Sequence, residues 1–163
     1  MRVNRGLAAA VFCFAATVAN AQIFDQTDWK ETEVPPPPSF NVKGLLPIEM
    51  PPYMSLKFGV DPATLAVTGD GVVRYVVVAT GPTGAINAFY EGVRCATDEV
   101  RSYARFNNGA WQPVDASEWK RIENMNSSYV RALSSQGLCR GRAPRFSTRD
   151  MVRELKKPEI LDR

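Results

Sequence analysis

The chain of 163 residues contains no histidine. That absence removes the side chain most often used as a general base near neutral pH, the partner of serine and cysteine nucleophiles, and the commonest zinc ligand. Cysteine is scarce too, with three residues at positions 13, 95 and 139 and no CxxC spacing, so a redox-active dithiol has no support in the pattern. Beyond residue 21 no apolar run approaches the roughly 20 residues that span a bilayer. TGDG and GPTG (Gly81 to Gly84) do not lead into helices, which excludes a phosphate cradle. There is no internal repeat with a period of about 20 to 50 residues. On these grounds no catalytic residue, cofactor or metal site is expected.

What is present begins with an export pattern. Met1 to Arg5 carries two positive charges, Leu7 to Val18 is almost wholly apolar, and Ala19, Asn20 and Ala21 put small residues at a cleavage site. Residues 1–21 therefore read as a signal peptide, and the mature chain begins at Gln22. Cys13 follows Phe12 inside the apolar core, a poor setting for lipidation. The expected location is the periplasm, or outside the cell. Cys13 leaves with the signal, so Cys95 and Cys139 remain in an oxidising compartment. Loss of Arg2 and Arg5 lowers the formal charge from +3 to +1. The near balance conceals an asymmetry. Asp25, Asp28, Glu31, Glu33 and Glu49 outnumber Lys30 and Lys43 early in the mature chain, whereas Arg140 to Lys157 is strongly basic. Such halves attract each other or an outside partner.

Residues 22–54 lack a helical or strand period, and seven of the twelve prolines fall between Pro35 and Pro52. Val34 to Pro38 must be extended, because each ring fixes φ and pushes the preceding residue out of the helical region. This arm reads as a ligand for an aromatic groove, or as a spacer or strap laid over its own domain; the missing flanking basic residue favours the second.

Residues 55–163 read as a single α+β domain. Leu56, Phe58 and Val60 alternate with small or polar residues, and Gly69 to Gly71 supplies a tight turn. Val72 to Thr80 is β-branched almost throughout, which suits a central strand covered on both faces. Ala85 to Cys95 returns as a strand with Phe89, Glu91 and Val93 on one face and Ala88 and Tyr90 on the other. Asn107, Asn108 and Gly109 turn a third hairpin. The result is an antiparallel β-meander of about five or six strands, followed by C-terminal helices on one face. Three helices are expected: one capped by Asp115 and Glu118 running through Ile122, one from Asn126 or Ser127 stopping at Gly137, and one opened by Ser147 and ended by Pro158.

Each candidate site has a plain structural reading beside it. Cys95 and Cys139 form a disulfide stapling helical layer to sheet, or else a reactive thiol pair; the staple is favoured, and closing its loop contributes about 4 kcal/mol. SEWK (Ser117 to Lys120) has the spacing of a lysine-activated serine, but companion elements are missing and capping accounts for Ser117. Asn126 to Ser128 has the form of a glycosylation acceptor, and capping suffices there as well. Glu91 and Tyr90, with Asp98, Glu99 and Arg94 nearby, could serve a carboxylate/tyrosine hydrolase or transferase if they share a concave pocket. The segment CRGRAPR gathers Arg140, Arg142 and Arg145, with Arg149 close behind, next to the proposed disulfide. It reads as an anion or acidic-partner site, or as a solvated loop, or as one neutralised by the acidic arm. Nucleic acid is not expected, since export removes it and aromatic interleaving is absent.

Five blocks read together: VPPPPSF (Val34 to Phe40), LKFGVDPATL (Leu56 to Leu65), GVVRYVVVA (Gly71 to Ala79), AFYEGVRCAT (Ala88 to Thr97) and GLCRGRAP (Gly137 to Pro144). In order and spacing they resemble the cryptic neisserial protein-like family, small exported bacterial proteins without an assigned activity. The resemblance implies a Gram-negative envelope or secreted protein and supplies no catalytic residues. The expectation is a non-enzymatic periplasmic interaction module whose partner is an envelope protein or an anionic glycan. A purely structural envelope component is the further alternative, and the pattern sets no oligomeric state.

Overall fold

The computed structural model describes residues 28–115 and 118–157. Residues 1–21, read as a signal peptide, and Ser117 and Pro158 lie outside them.

An eight-stranded antiparallel sheet forms the centre of the fold. Its main path runs β1 (Leu46–Ile48), β2 (Lys57–Val60), β4 (Val72–Thr80), β5 (Ile86–Arg94), β6 (Glu99–Asn107), β7 (Ala110–Pro113), with β3 (Ala66–Val67) paired to β4 and β8 (Lys120–Arg121) to β6. Strand β4 is central for the reason its sequence implies, since every residue from Val72 to Ala79 is buried. Side chains alternate across it. Val73, Tyr75, Val77 and Ala79 face the helices, while Val76 and Val78 face the proline-rich arm.

Tight turns fix the hairpin registers. Asn108 (φ 51°) and Gly109 (φ 81°) occupy the two positive-φ positions between β6 and β7, which a type I′ turn requires. Both outer strands carry a proline, Pro47 in β1 and Pro113 in β7. Proline offers no N–H, so each edge lacks a donor that a further strand would need.

The helical layer is short. Helix α1 (Tyr129–Leu133) continues directly into a π-turn, Ser134–Leu138. Helix α2 (Thr148–Leu155) is capped by Ser147, whose Oγ accepts from Asp150 N at 3.1 Å. Val130, Leu133, Leu138, Met151 and Leu155 join the sheet core. Gly137 does not stop the helix in a left-handed conformation. It lies inside the π-turn, and a Cβ there would collide with Leu155, so its smallness serves packing.

The helix expected through Ile122 is absent. Lys120 and Arg121 instead pair with Val100 and Glu99, Ile122 N donates to Asp98 O at 2.8 Å, and one 3₁₀ turn follows at Ile122–Asn124. The capping pattern of Asp115 and Glu118 was a local signal. Pairing to β6 and burial of Ile122 outweigh it.

The arm lies over its own sheet. Val34, Phe40 and Leu45 pack on the face opposite the helices, and Phe40 meets Phe106 and Trp111 edge-on at 5.1 and 5.6 Å. Leu46–Ile48, inside the segment read as extended arm, adds strand β1 to the sheet edge. At the other end Glu31 accepts from Arg101 at 2.7 Å, from Trp119 Nε1 at 3.3 Å and from the Tyr103 hydroxyl. Trp29 donates to Asp70 O at 2.8 Å and stacks on Arg94 at 3.6 Å.

Gly92 makes room for this lock. A Cβ at position 92 would meet the Tyr103 hydroxyl and approach Val72 Cγ1 to 2.8 Å. Gly92→Ala should therefore displace Tyr103, cost about 1–3 kcal/mol of stability, and release the arm. Limited proteolysis between residues 28 and 45 reads the release, with cleavage at least ~10-fold faster than in the parent chain. Unchanged cleavage would show that Tyr103 does not hold the arm.

Candidate functional site

The sequence offered two places to look: the basic segment after Cys139, and the carboxylates of the β5–β6 hairpin. The structure separates them.

The basic segment is a hairpin and not an irregular loop. Strands β9 (Cys139–Arg140) and β10 (Ala143–Pro144) pair through the two-residue turn Gly141 and Arg142. Gly141 takes φ 61° while Arg142 stays at negative φ, the pattern of a type II′ turn with glycine first. Its base is fastened by the Cys95–Cys139 disulfide, with 5.7 Å between the Cα atoms. Arg142 fastens it again, donating from Nε and Nη2 to the Ala96 carbonyl at 3.0 and 2.6 Å. Arg145 N donates to Leu138 O at 3.0 Å. Within this twice-held frame Arg140 stands exposed with its guanidinium 6.0 Å from the ring of Phe146, itself 88% exposed. Arg149 is exposed on α2. Among the described residues none of Arg140, Arg142, Arg145 and Arg149 forms an ion pair.

The hairpin borders an open pocket of about 490 Å³, within the size range of small-ligand sites. Cys139 and Gly141 form one wall, and Ser134 and Ser135 of the π-turn form another. Arg121, Ile122, Glu123, Arg131 and Asp98 complete the lining. π-turns within helices often coincide with functional sites, because the wider turn breaks the regular ladder. Arg121 Nε lies 3.5 Å from Glu123, while the Arg131 and Asp98 side chains have no partner among the described residues. Sequence reasoning missed Arg121 and Arg131. They are ten positions apart in unrelated local patterns, and only the folded chain brings them to the hairpin.

Of the arm's acids, Glu49 lines a second pocket with Arg145 and Glu154, while Glu31 turns away from the hairpin. Glu31 meets Arg74 at 3.5 Å and Arg101 at 2.7 Å on the opposite side of the sheet. Arg74 also donates to the Thr32 carbonyl at 3.0 Å and lies 3.7 Å from Asp70. Burial opposes ionisation of Asp70, but hydrogen bonds from Thr68, Thr32 and Val72 outweigh it and hold the carboxyl at about 2. A signal for this lock existed: Arg74 is a lone charge inside an otherwise apolar central strand, and such a residue demands a buried partner.

The carboxylate candidates are dispersed. Glu91 is 1% exposed, beneath the helices, and accepts hydrogen bonds from the hydroxyls of Tyr129 at 2.7 Å, Tyr75 at 3.1 Å and Ser102 at 3.1 Å. Burial raises its pKa above the ordinary carboxylate value, against the pull of those three donors. Burial first, and then Glu91 itself, likewise push the Tyr129 phenol up. Tyr90 faces the arm, so it does not share a site with Glu91. Arg94 is held between Trp29 and Glu99, and Asp98 alone of this group reaches the pocket. Of SEWK, Lys120 lies in β8, and Ser117 falls outside the described residues.

Among the described residues no cluster of three or more His, Cys, Asp or Glu side chains could hold a metal, and no helix is long and apolar enough to cross a membrane. The architecture is that of a small α+β domain with a pocket of mixed lining walled by a disulfide-fastened basic hairpin. The chain belongs to the CNP1-like family, whose sequence profile matches residues 24–156. No curated protein and no solved structure matches it.

Proposed function

We propose that this member of the family is an exported, non-enzymatic interaction module of the periplasm or cell envelope, and that it holds an anionic partner on the β9–β10 hairpin face. The observation that carries the reading is the hairpin itself: Arg140 and Arg142, neither in an ion pair among the described residues, stand on a frame fastened by a disulfide and by Arg142 to Ala96, with Arg149 exposed on α2. Cations held in place lose less freedom on binding than cations on a mobile loop, so the same charges yield more affinity. Support for export comes from the N-terminal pattern of residues 1–21 and from the disulfide, a bond of oxidising compartments. Membership of the CNP1-like family names no chemistry.

Arginines at positions 140 and 149 are the informative ones to remove, because Arg142 holds the hairpin and its loss would confound charge with shape. Immobilised alginate, a carboxylated polysaccharide, serves as probe. Arg140→Ala with Arg149→Ala should weaken retention of the mature protein about fivefold at low salt, with the difference shrinking as salt rises. Equal retention by parent and double variant would remove the basic face from the function.

A further inference from the structure

The pocket beside the hairpin has a charge pattern of its own. Arg121 and Glu123 answer each other at 3.5 Å, which leaves one unpaired cation, Arg131, and one unpaired anion, Asp98, on the lining. Both are exposed to solvent. Asp98 sits at φ 53° in the β5–β6 turn, a left-handed conformation that aspartate and asparagine tolerate and most residues do not. Aspartates in such turns commonly hydrogen-bond nearby backbone. Here the carboxylate has no such bond among the described residues. Its backbone carbonyl is occupied instead, accepting from Ile122 N at 2.8 Å, so the turn is fixed while the side chain is free. Ser134, on the same lining, is 8% exposed, and its hydroxyl is buried without a partner.

The geometry points to a zwitterion as the ligand of this pocket: a free amino acid or the end of a short peptide, its carboxylate on Arg131 and its ammonium on Asp98. A purely anionic group would meet Asp98 and Glu123 along with the arginines, and a purely cationic one would meet Arg121 and Arg131. Only a group carrying both signs satisfies the two unpaired side chains together. This inference deepens the proposed function and rests on the hairpin face being a recognition surface, with Arg140 and Arg149 outside the pocket left to an anionic remainder of the partner.

Nuclear magnetic resonance titration of the mature protein with dialanine tests it, alongside N-acetyl-dialanine and dialanine amide, each of which lacks one charge. Dialanine should produce saturable shifts of the Ser134 and Gly141 amides, and each blocked form should bind about 10-fold more weakly. Asp98→Asn keeps the left-handed turn and removes the charge; it and Arg131→Gln should each weaken dialanine about 10-fold, with circular dichroism confirming the fold. The two proposals separate cleanly. Asp98→Asn should leave alginate retention intact, and Arg140→Ala should leave dialanine binding intact. Absence of saturable shifts, or equal binding of N-acetyl-dialanine, overturns the zwitterion site whatever alginate does.

Discussion

Glu91→Ala should destabilise the protein by about 3 kcal/mol, and Glu91→Gln should stabilise it at pH values where the buried carboxyl is ionised. The two substitutions differ in what they leave behind. Alanine removes the acceptor of three buried hydroxyls, from Tyr75, Tyr129 and Ser102, and opens a cavity beneath α1. Each stranded hydroxyl costs about 1–3 kcal/mol, so their sum outweighs the relief of losing a buried carboxylate. Glutamine keeps the shape and an acceptor oxygen while removing the charge. The sign of the pH dependence follows from the raised pKa of Glu91. The folded state retains its proton at pH values where the unfolded chain has lost it. Stability is therefore fully present below the ordinary glutamate value of 4.5 and declines as pH rises through the higher folded value. Urea denaturation at pH 5 and pH 8 should show the parent losing stability relative to Glu91→Gln at the higher pH. Parallel behaviour would mean that Glu91 titrates normally, and a stable alanine variant would mean that the three hydroxyls find other partners. Asp70 acts in the opposite direction: its lowered pKa contributes stability above 3.8 that is lost as pH falls toward about 2.

The larger loss belongs to the disulfide. Replacing Cys95 and Cys139 by serine should lower stability by about 4 kcal/mol, since the bond closes a loop across a sequence separation of 44 residues. That is a large share of the stability of an ordinary domain. Beyond the global loss, the β9–β10 hairpin should open, because Arg142 alone would hold it to Ala96. Thermal unfolding measures the first effect, and alginate retention of the still-folded variant at low temperature measures the second. If the serine variant keeps the melting temperature of the parent, the bond is decorative. If it melts early but retains alginate fully at 10 °C, the hairpin does not depend on its staple.

Much of the fold was legible because its strongest signals are local. The β-branched run of Val72 to Thr80, the turns at Gly71 and Asn108 to Gly109, and the Ser147 cap each act through neighbouring residues, and each stands as read. The segment from Asp115 to Ile122 failed for the opposite reason. Its destiny depends on Glu99 and Val100, strands away, and on Arg94 receiving Trp119 and Trp29. The site divides the same way. Arg140 and Arg142 announce themselves in one short segment, and Cys95 and Cys139 are the pair left once residues 1–21 are read as a signal peptide. Arg121, Arg131 and Ser134 have no pattern in common until the chain has folded. The faces of β5 were readable from alternation, but that Glu91 would be sealed under Tyr129 was not, because helix placement is a tertiary fact.

The arm imposes an order of events on the chain. It is synthesised before every group that secures it: Glu31 waits for Arg101, Tyr103 and Trp119, 70 to 88 residues later. Closing so long a loop is entropically slow, whereas the hairpins joining β4, β5 and β6 close locally. The expected order is that the sheet assembles first and is wrapped last. During that interval Val34, Phe40 and Leu45 are uncovered, and so is the sheet face they will occupy. The run Pro35 to Pro38 makes the wait safe. Unable to donate to a strand or enter a helix, it keeps the arm extended and out of premature pairing until its destination exists.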